Sequence, residues 1–109
     1  MSKFFGDFNN VNDIIFRFSI SEEVLKGVDI LVASYNQERY EGAAFVLFRD
    51  KSGTLKEVNG SHCSCYGLDG QWEPEEAYID ELIHRLTEGY VCGATDDCKE
   101  YLLALLAKC

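Results

Sequence analysis

Proline is almost absent from this chain: Pro74 is the only one in 109 residues. That excludes a proline-rich linker, and neither a low-complexity run nor a repeat at a fixed period appears. Long hydrophobic runs are missing too. The longest, Ile30–Ala33 and Ala43–Phe48, fall far short of the about 20 apolar residues that cross a bilayer, so no membrane span is expected. The opening MSKFFGDFNN holds one lysine and no apolar core of signal length, so no secretory signal is expected and the setting is expected to be cytoplasmic. Bases are scarce. Nineteen acids against ten bases leave a formal net charge of −9, which argues against a direct grip on DNA or RNA phosphates, because that grip needs a basic footprint.

What is present is enough for a core. Hydrophobic residues make up 47% of the chain and aromatics 13%, which excludes disorder and, at this length, points to a single domain over residues 1–109. The negative balance suits solubility and partners that are themselves basic, such as the nucleic-acid groove of another protein. Five cysteines, Cys63, Cys65, Cys92, Cys98 and Cys109, are an odd number. In a reducing setting they are expected to be small buried hydrophobes rather than a disulfide framework, with a metal site as the alternative.

Periodicity gives an order of elements. Val11, Ile14, Ile15 and Phe18 follow the i, i+3, i+4, i+7 spacing of an amphipathic helix over 9–20, with Asn10 or Asn12 as its cap. Ser21–Gly27 predicts a second short helical turn that stops at Gly27. Val28–Tyr35, Gly42–Phe48 and Thr54–Val58 read as three strands, the last two joined by a hairpin loop at Asp50–Gly53 with Gly53 at positive φ. Pro74–Glu88 predicts a long helix with Pro74 in its first turn, Glu75 and Glu76 at the positive end of its dipole, and Ile79, Leu82, Ile83 and Leu86 as its apolar stripe. A final helix is expected from about Thr95 to Lys108, with Cys98 and Cys109 on its apolar side. Its leucines, Leu102, Leu103, Leu105 and Leu106, offer more apolar width than one packed face requires, which suits a homodimer. The expected fold class is therefore α+β: a three-stranded antiparallel β-meander packed with short N-terminal helices and two C-terminal helices.

The stretch Gly60–Glu76, GSHCSCYGLDGQWEPEE, obeys none of these periodicities. Glycines alternate there with the only tryptophan, one of two histidines and two of five cysteines, the composition of an elaborate or functional loop. The Ser61–Glu76 stretch, with FFGDF near the start and EGAAFVLFRDKSGTLKEVNG before it, resembles a signature of small uncharacterised phage and prophage proteins. The resemblance covers roughly residues 4–90 and leaves out Thr95–Cys109. It implies a phage-encoded accessory protein acting inside a bacterial host, and it carries no assigned activity.

Four readings of the stretch compete. His62, Cys63 and Cys65, with Cys92 as a fourth ligand, could hold zinc, but C-x-C matches structural zinc less well than C-x-x-C. Cys63 or Cys65 could be a thiolate nucleophile served by His62 or His84, but no orienting carboxylate is identifiable, and Asp80–His84 is an ordinary i, i+4 helix pair. The loop could be structural, with Cys63, Cys65, Tyr66, Leu68 and Trp72 packed beneath the sheet. Finally, Tyr66, Asp69, Trp72, Glu73, Glu75, Glu76 and Asp80 could form an acidic, aromatic contact for a protein partner. The expected function is a cofactor-free, non-enzymatic binding protein that modulates a host protein, such as a defence nuclease or another nucleic-acid enzyme. A zinc-stabilised domain and a cysteine-dependent enzyme are the alternatives.

Overall fold

A computed structural model describes residues 4–6, 8–38, 41–62, 70–88 and 96–108. The elements run β1 (Phe4–Gly6), α1 (Val11–Phe18), a 3-10 helix (Glu22–Leu25), β2 (Asp29–Glu38), β3 (Glu41–Arg49), β4 (Leu55–His62), β5 (Glu75–Glu76), α2 (Ile79–Glu88) and α3 (Asp96–Ala107). The class is α+β, as expected. The three-stranded meander is not: β2, β3 and β4 do pair antiparallel in chain order, but β1 adds parallel to β2 and β5 antiparallel to β4. The sheet is five-stranded and mixed. Strands of three and two residues are too short to show a period of two, so only their partners define them.

Side chains alternate across the sheet and divide the core in two. On the first face Ile30, Ala33 and Tyr35 of β2, Ala44, Val46 and Phe48 of β3, and Val58 of β4 meet Phe8, Ile14 and Phe18 around α1, together with Leu25 of the 3-10 helix. On the second face Val32, Phe45, Leu47 and Leu55 meet Leu82 and Leu86 of α2 and Cys98, Leu102 and Leu106 of α3. Thus residues before β2 furnish most of one cover, and residues after β5 furnish the other. A bulge between Ile30 and Val32 shifts the register. It sends Ile30 to the first face and both Leu31 and Val32 to the second, which is why this run is continuously apolar rather than alternating.

The helix signals are partly local. Asn10 caps α1, its Oδ1 accepting from the Asp13 amide at 3.1 Å. Ile14 and Phe18 are buried beneath it, while Phe16 on its outer side is exposed. In α3, Leu102 and Leu106 are buried, and Leu103 and Leu105 are half-buried against the second core, so much of the expected extra apolar width is used within the chain. Cys98 is fully buried there, as expected of a core cysteine, whereas Cys109 lies outside the described residues.

Two glycines have conformational jobs. Gly53 takes φ +87° in the β3–β4 turn, where its amide donates to the Asp50 carbonyl at 2.9 Å. Gly6 takes φ +66°, and a Cβ built on it would lie 2.0 Å from the Tyr35 carbonyl oxygen. The parallel pairing of β1 with β2 therefore depends on a bare α-carbon at position 6.

The helix expected to begin at Pro74 begins at Ile79 instead. Pro74–Tyr78 is non-helical, and Glu75 and Glu76 lie opposite Glu57 and Lys56 of β4. A proline followed by two acids suits a first helical turn and an edge strand equally. What decides between them is packing on either side.

Candidate functional site

That packing is set by two anchors. Trp72 sits on the first face, its ring stacked on Phe48 (centroids 5.6 Å apart, 12° between planes) and edge-on to Phe18 (5.2 Å, 72°). Ala77 is buried on the second face, and its amide donates to the Leu55 carbonyl at 2.9 Å. Between Trp72 and Ala77 the chain must pass around the edge of the sheet. It does so as β5, after Gln71 has tied itself to the neighbouring strand, its Oε1 accepting from the Ser61 amide at 2.7 Å. Residues on such a passage belong to neither core.

The consequence is an acidic edge. Glu73, Glu75 and Glu76 are exposed along the passage, and Asp80 and Glu81 are exposed on the first turn of α2. Tyr78 lies among them at 56% exposure, its hydroxyl donating to Glu76 Oε2 at 3.3 Å. The Glu76 charge, that hydrogen bond and the Glu81 charge together raise the Tyr78 phenol above its ordinary value. An exposed tyrosine rimmed by carboxylates is the anchor-and-rim arrangement used to hold protein partners.

One acid behind this edge is not exposed. Glu57, on β4, is 5% exposed and takes hydrogen bonds from Arg85 Nη2 at 2.9 and 2.8 Å and from Asn59 Nδ2 at 2.7 Å. Arg85 thus directs its two hydrogen bonds inward, pinning α2 to β4, and of the outer carboxylates it approaches Glu81 alone. Its Nε, also buried, has no hydrogen-bond partner among the described residues and lies 3.7 Å from Glu81 Oε1. Sequence reasoning missed this pair. The available signal was Glu57 within a strand whose alternation points it at a helix.

The expected site residues divide cleanly. Glu73, Glu75, Glu76 and Asp80 come together on the edge, and Trp72 adjoins them while giving much of its ring to the core. Tyr66 and Asp69 lie outside the described residues. So do Cys63, Cys65 and Cys92 of the zinc and nucleophile readings, and His62 is described only as backbone, opposite Gly42 at the end of β4. His84 is exposed on α2. Among the described residues no three His, Cys, Asp or Glu side chains gather to hold a metal ion, and none of the described helices is long and apolar enough to cross a membrane.

Comparison of the chain with protein-family models, with curated proteins and with solved structures finds no match.

Proposed function

We propose that this protein is a non-enzymatic binding protein whose contact surface is the acidic edge from Glu73 to Glu81, with Tyr78 as its aromatic anchor. The observation that carries the reading is the crossing of the sheet edge between Trp72 and Ala77. It leaves five carboxylates exposed beside one tyrosine, while Arg85 hydrogen-bonds Glu57 and approaches only Glu81 among the five. Such a surface complements a basic one, and the net charge of −9 steers the whole molecule toward it. The partner is a protein with a basic, nucleic-acid-binding groove, such as a defence nuclease. The resemblance of Ser61–Glu76 to small phage and prophage proteins supports a partner in the cytoplasm of a bacterial host. Binding of this kind requires no cofactor.

The test is affinity capture from bacterial lysate, run in parallel with Glu73→Lys/Glu75→Lys/Glu76→Lys and with Tyr78→Ala. The native chain should retain a stoichiometric partner that is released by raising the salt, and both variants should lose it while keeping native melting behaviour. Recovery of no stoichiometric partner, or retention of the partner by the charge-reversed chain, overturns the reading.

A further inference from the structure

On the first face, beside the acidic edge and sharing Pro74 with it, lies a cavity of about 470 Å³. Phe48, Trp72, Val24 and Pro74 line it with aromatic and apolar surface, and Lys51 and Lys56 add two cationic side chains to the lining. The volume falls in the range of small-molecule sites, which are mainly apolar with a few charged groups that fix orientation.

The charge at this cavity is opposite to that of the chain as a whole. Neither lysine comes within salt-bridge distance of a described carboxylate, although the Lys56 charge helps to lower the Asp50 carboxyl. Lys56 lies opposite Glu76 in the ladder, but the two make no salt bridge among those described. The methylene stem of Lys51 is laid over Gly27, where an added Cβ would meet its Cγ at 3.1 Å, so the stem packs while the residue as a whole stays exposed. Asp50 is the one carboxylate lining the cavity, and its Oδ1 is already occupied. It accepts from the Ser52 hydroxyl at 2.7 Å, the Ser52 amide at 2.9 Å and the Thr54 amide at 3.0 Å. With Asp50 ionised, the lining carries a local surplus of one positive charge in a chain of net charge −9.

We infer that this cavity is a binding site for a small planar aromatic carboxylate, whose ring lies against the stacked Phe48–Trp72 pair and whose carboxylate is held by Lys51 and Lys56. An apolar ligand without charge would leave the two lysine charges unused, and a cation would be repelled by them. A two-ring ligand fits within the volume with room to spare. Pro74 of the edge segment lines the cavity, but none of the five edge carboxylates does.

Trp72 is the only tryptophan, so its indole N–H gives a single, unambiguous resonance in a ¹H–¹⁵N spectrum. The full chain is titrated with 2-naphthoate and, as a size-matched cation, with 2-naphthylmethylammonium. Naphthoate should move the indole resonance and the Ser52 and Lys56 amides saturably, and the cation should bind at least about tenfold more weakly. Lys51→Gln/Lys56→Gln, whose spectrum should stay native, should lose about fivefold or more in naphthoate affinity. Val24→Glu, which adds a charge to the apolar wall, should abolish saturation. The site is refuted if naphthoate produces no saturable shift below about 5 mM. Equal affinity for anion and cation, or unaltered affinity in the double lysine variant, refutes it as well.

Discussion

Replacing Arg85 by Met tests how the acidic edge is held in place. Methionine keeps most of the stem that packs between α2 and β4 but removes the guanidinium. Glu57, 5% exposed, would then keep only the Asn59 hydrogen bond at 2.7 Å and lose both bonds from Arg85 Nη2. Removing one member of a buried ion pair costs about 3–5 kcal/mol, because the other charge stays buried and unmatched. The Arg85 side chain is 26% exposed, so water can reach part of the vacated space, and the expected cost falls to about 2–3 kcal/mol. In urea, with a slope of about 1–3 kcal/mol/M, that moves the midpoint down by about 0.7–3 M, read from Trp72 fluorescence. Replacing both partners, Glu57→Leu with Arg85→Met, removes the orphaned charge, and stability should return to within about 1 kcal/mol of the native chain. A single variant that costs less than about 0.5 kcal/mol, or a double variant as unstable as the sum of the singles, would refute the view that this pair is a desolvated clamp.

Three further outcomes are expected. Gly6→Ala should destabilise by about 3 kcal/mol, since its Cβ would meet the Tyr35 carbonyl as well as force positive φ; Gly53→Ala, with equally positive φ but nothing within 4 Å, should cost only about 1 kcal/mol, and chemical denaturation compares them. Hydrogen bonds from the Ser52 side chain, first among several causes, hold the Asp50 carboxyl below its ordinary value of 3.8. This contribution to stability is therefore present above that value and lost as pH falls through the lower folded-state one, and Ser52→Ala should raise the Asp50 titration in a carboxyl ¹³C spectrum. The Tyr78 phenol, raised above 10.0 chiefly by Glu76, contributes in the opposite sense: its share of stability is present below 10.0 and lost as pH rises through the higher folded-state value. Glu76→Gln should bring its titration down in tyrosine ring ¹³C spectra.

Elements with a sustained local pattern were legible. Asn10 and the Val11–Phe18 spacing announce α1, the 50–53 turn announces the β3–β4 hairpin, and Leu82 and Leu86 announce the buried stripe of α2. The misread elements depend on contacts made far along the chain. β1 exists because Phe4–Gly6 finds Ala33–Tyr35. β5 exists because Trp72 and Ala77 are held on opposite faces, a constraint that Pro74, Glu75 and Glu76 do not encode by themselves. The acidity of the site was plain from Glu73, Glu75, Glu76 and Asp80, whose exposure follows from their type. Arg85 and Glu57 stand 28 residues apart, and the cavity draws its lining from well-separated segments. No local pattern marks either one.

The division of the core between two stretches of chain bears on how the protein is made. As translation proceeds, α1 and the 3-10 helix emerge before β2, β3 and β4, so the first face can close as soon as those strands pair. Val32, Phe45 and Leu47 on the second face must wait for α2 and α3. From His62 to Ala107 the ribosome needs about 2–9 s at roughly 5–20 residues per second. For those seconds the nascent chain presents an uncovered sheet of valine, phenylalanine and leucine, and holdase chaperones or proteases meet it there before the finished molecule exists.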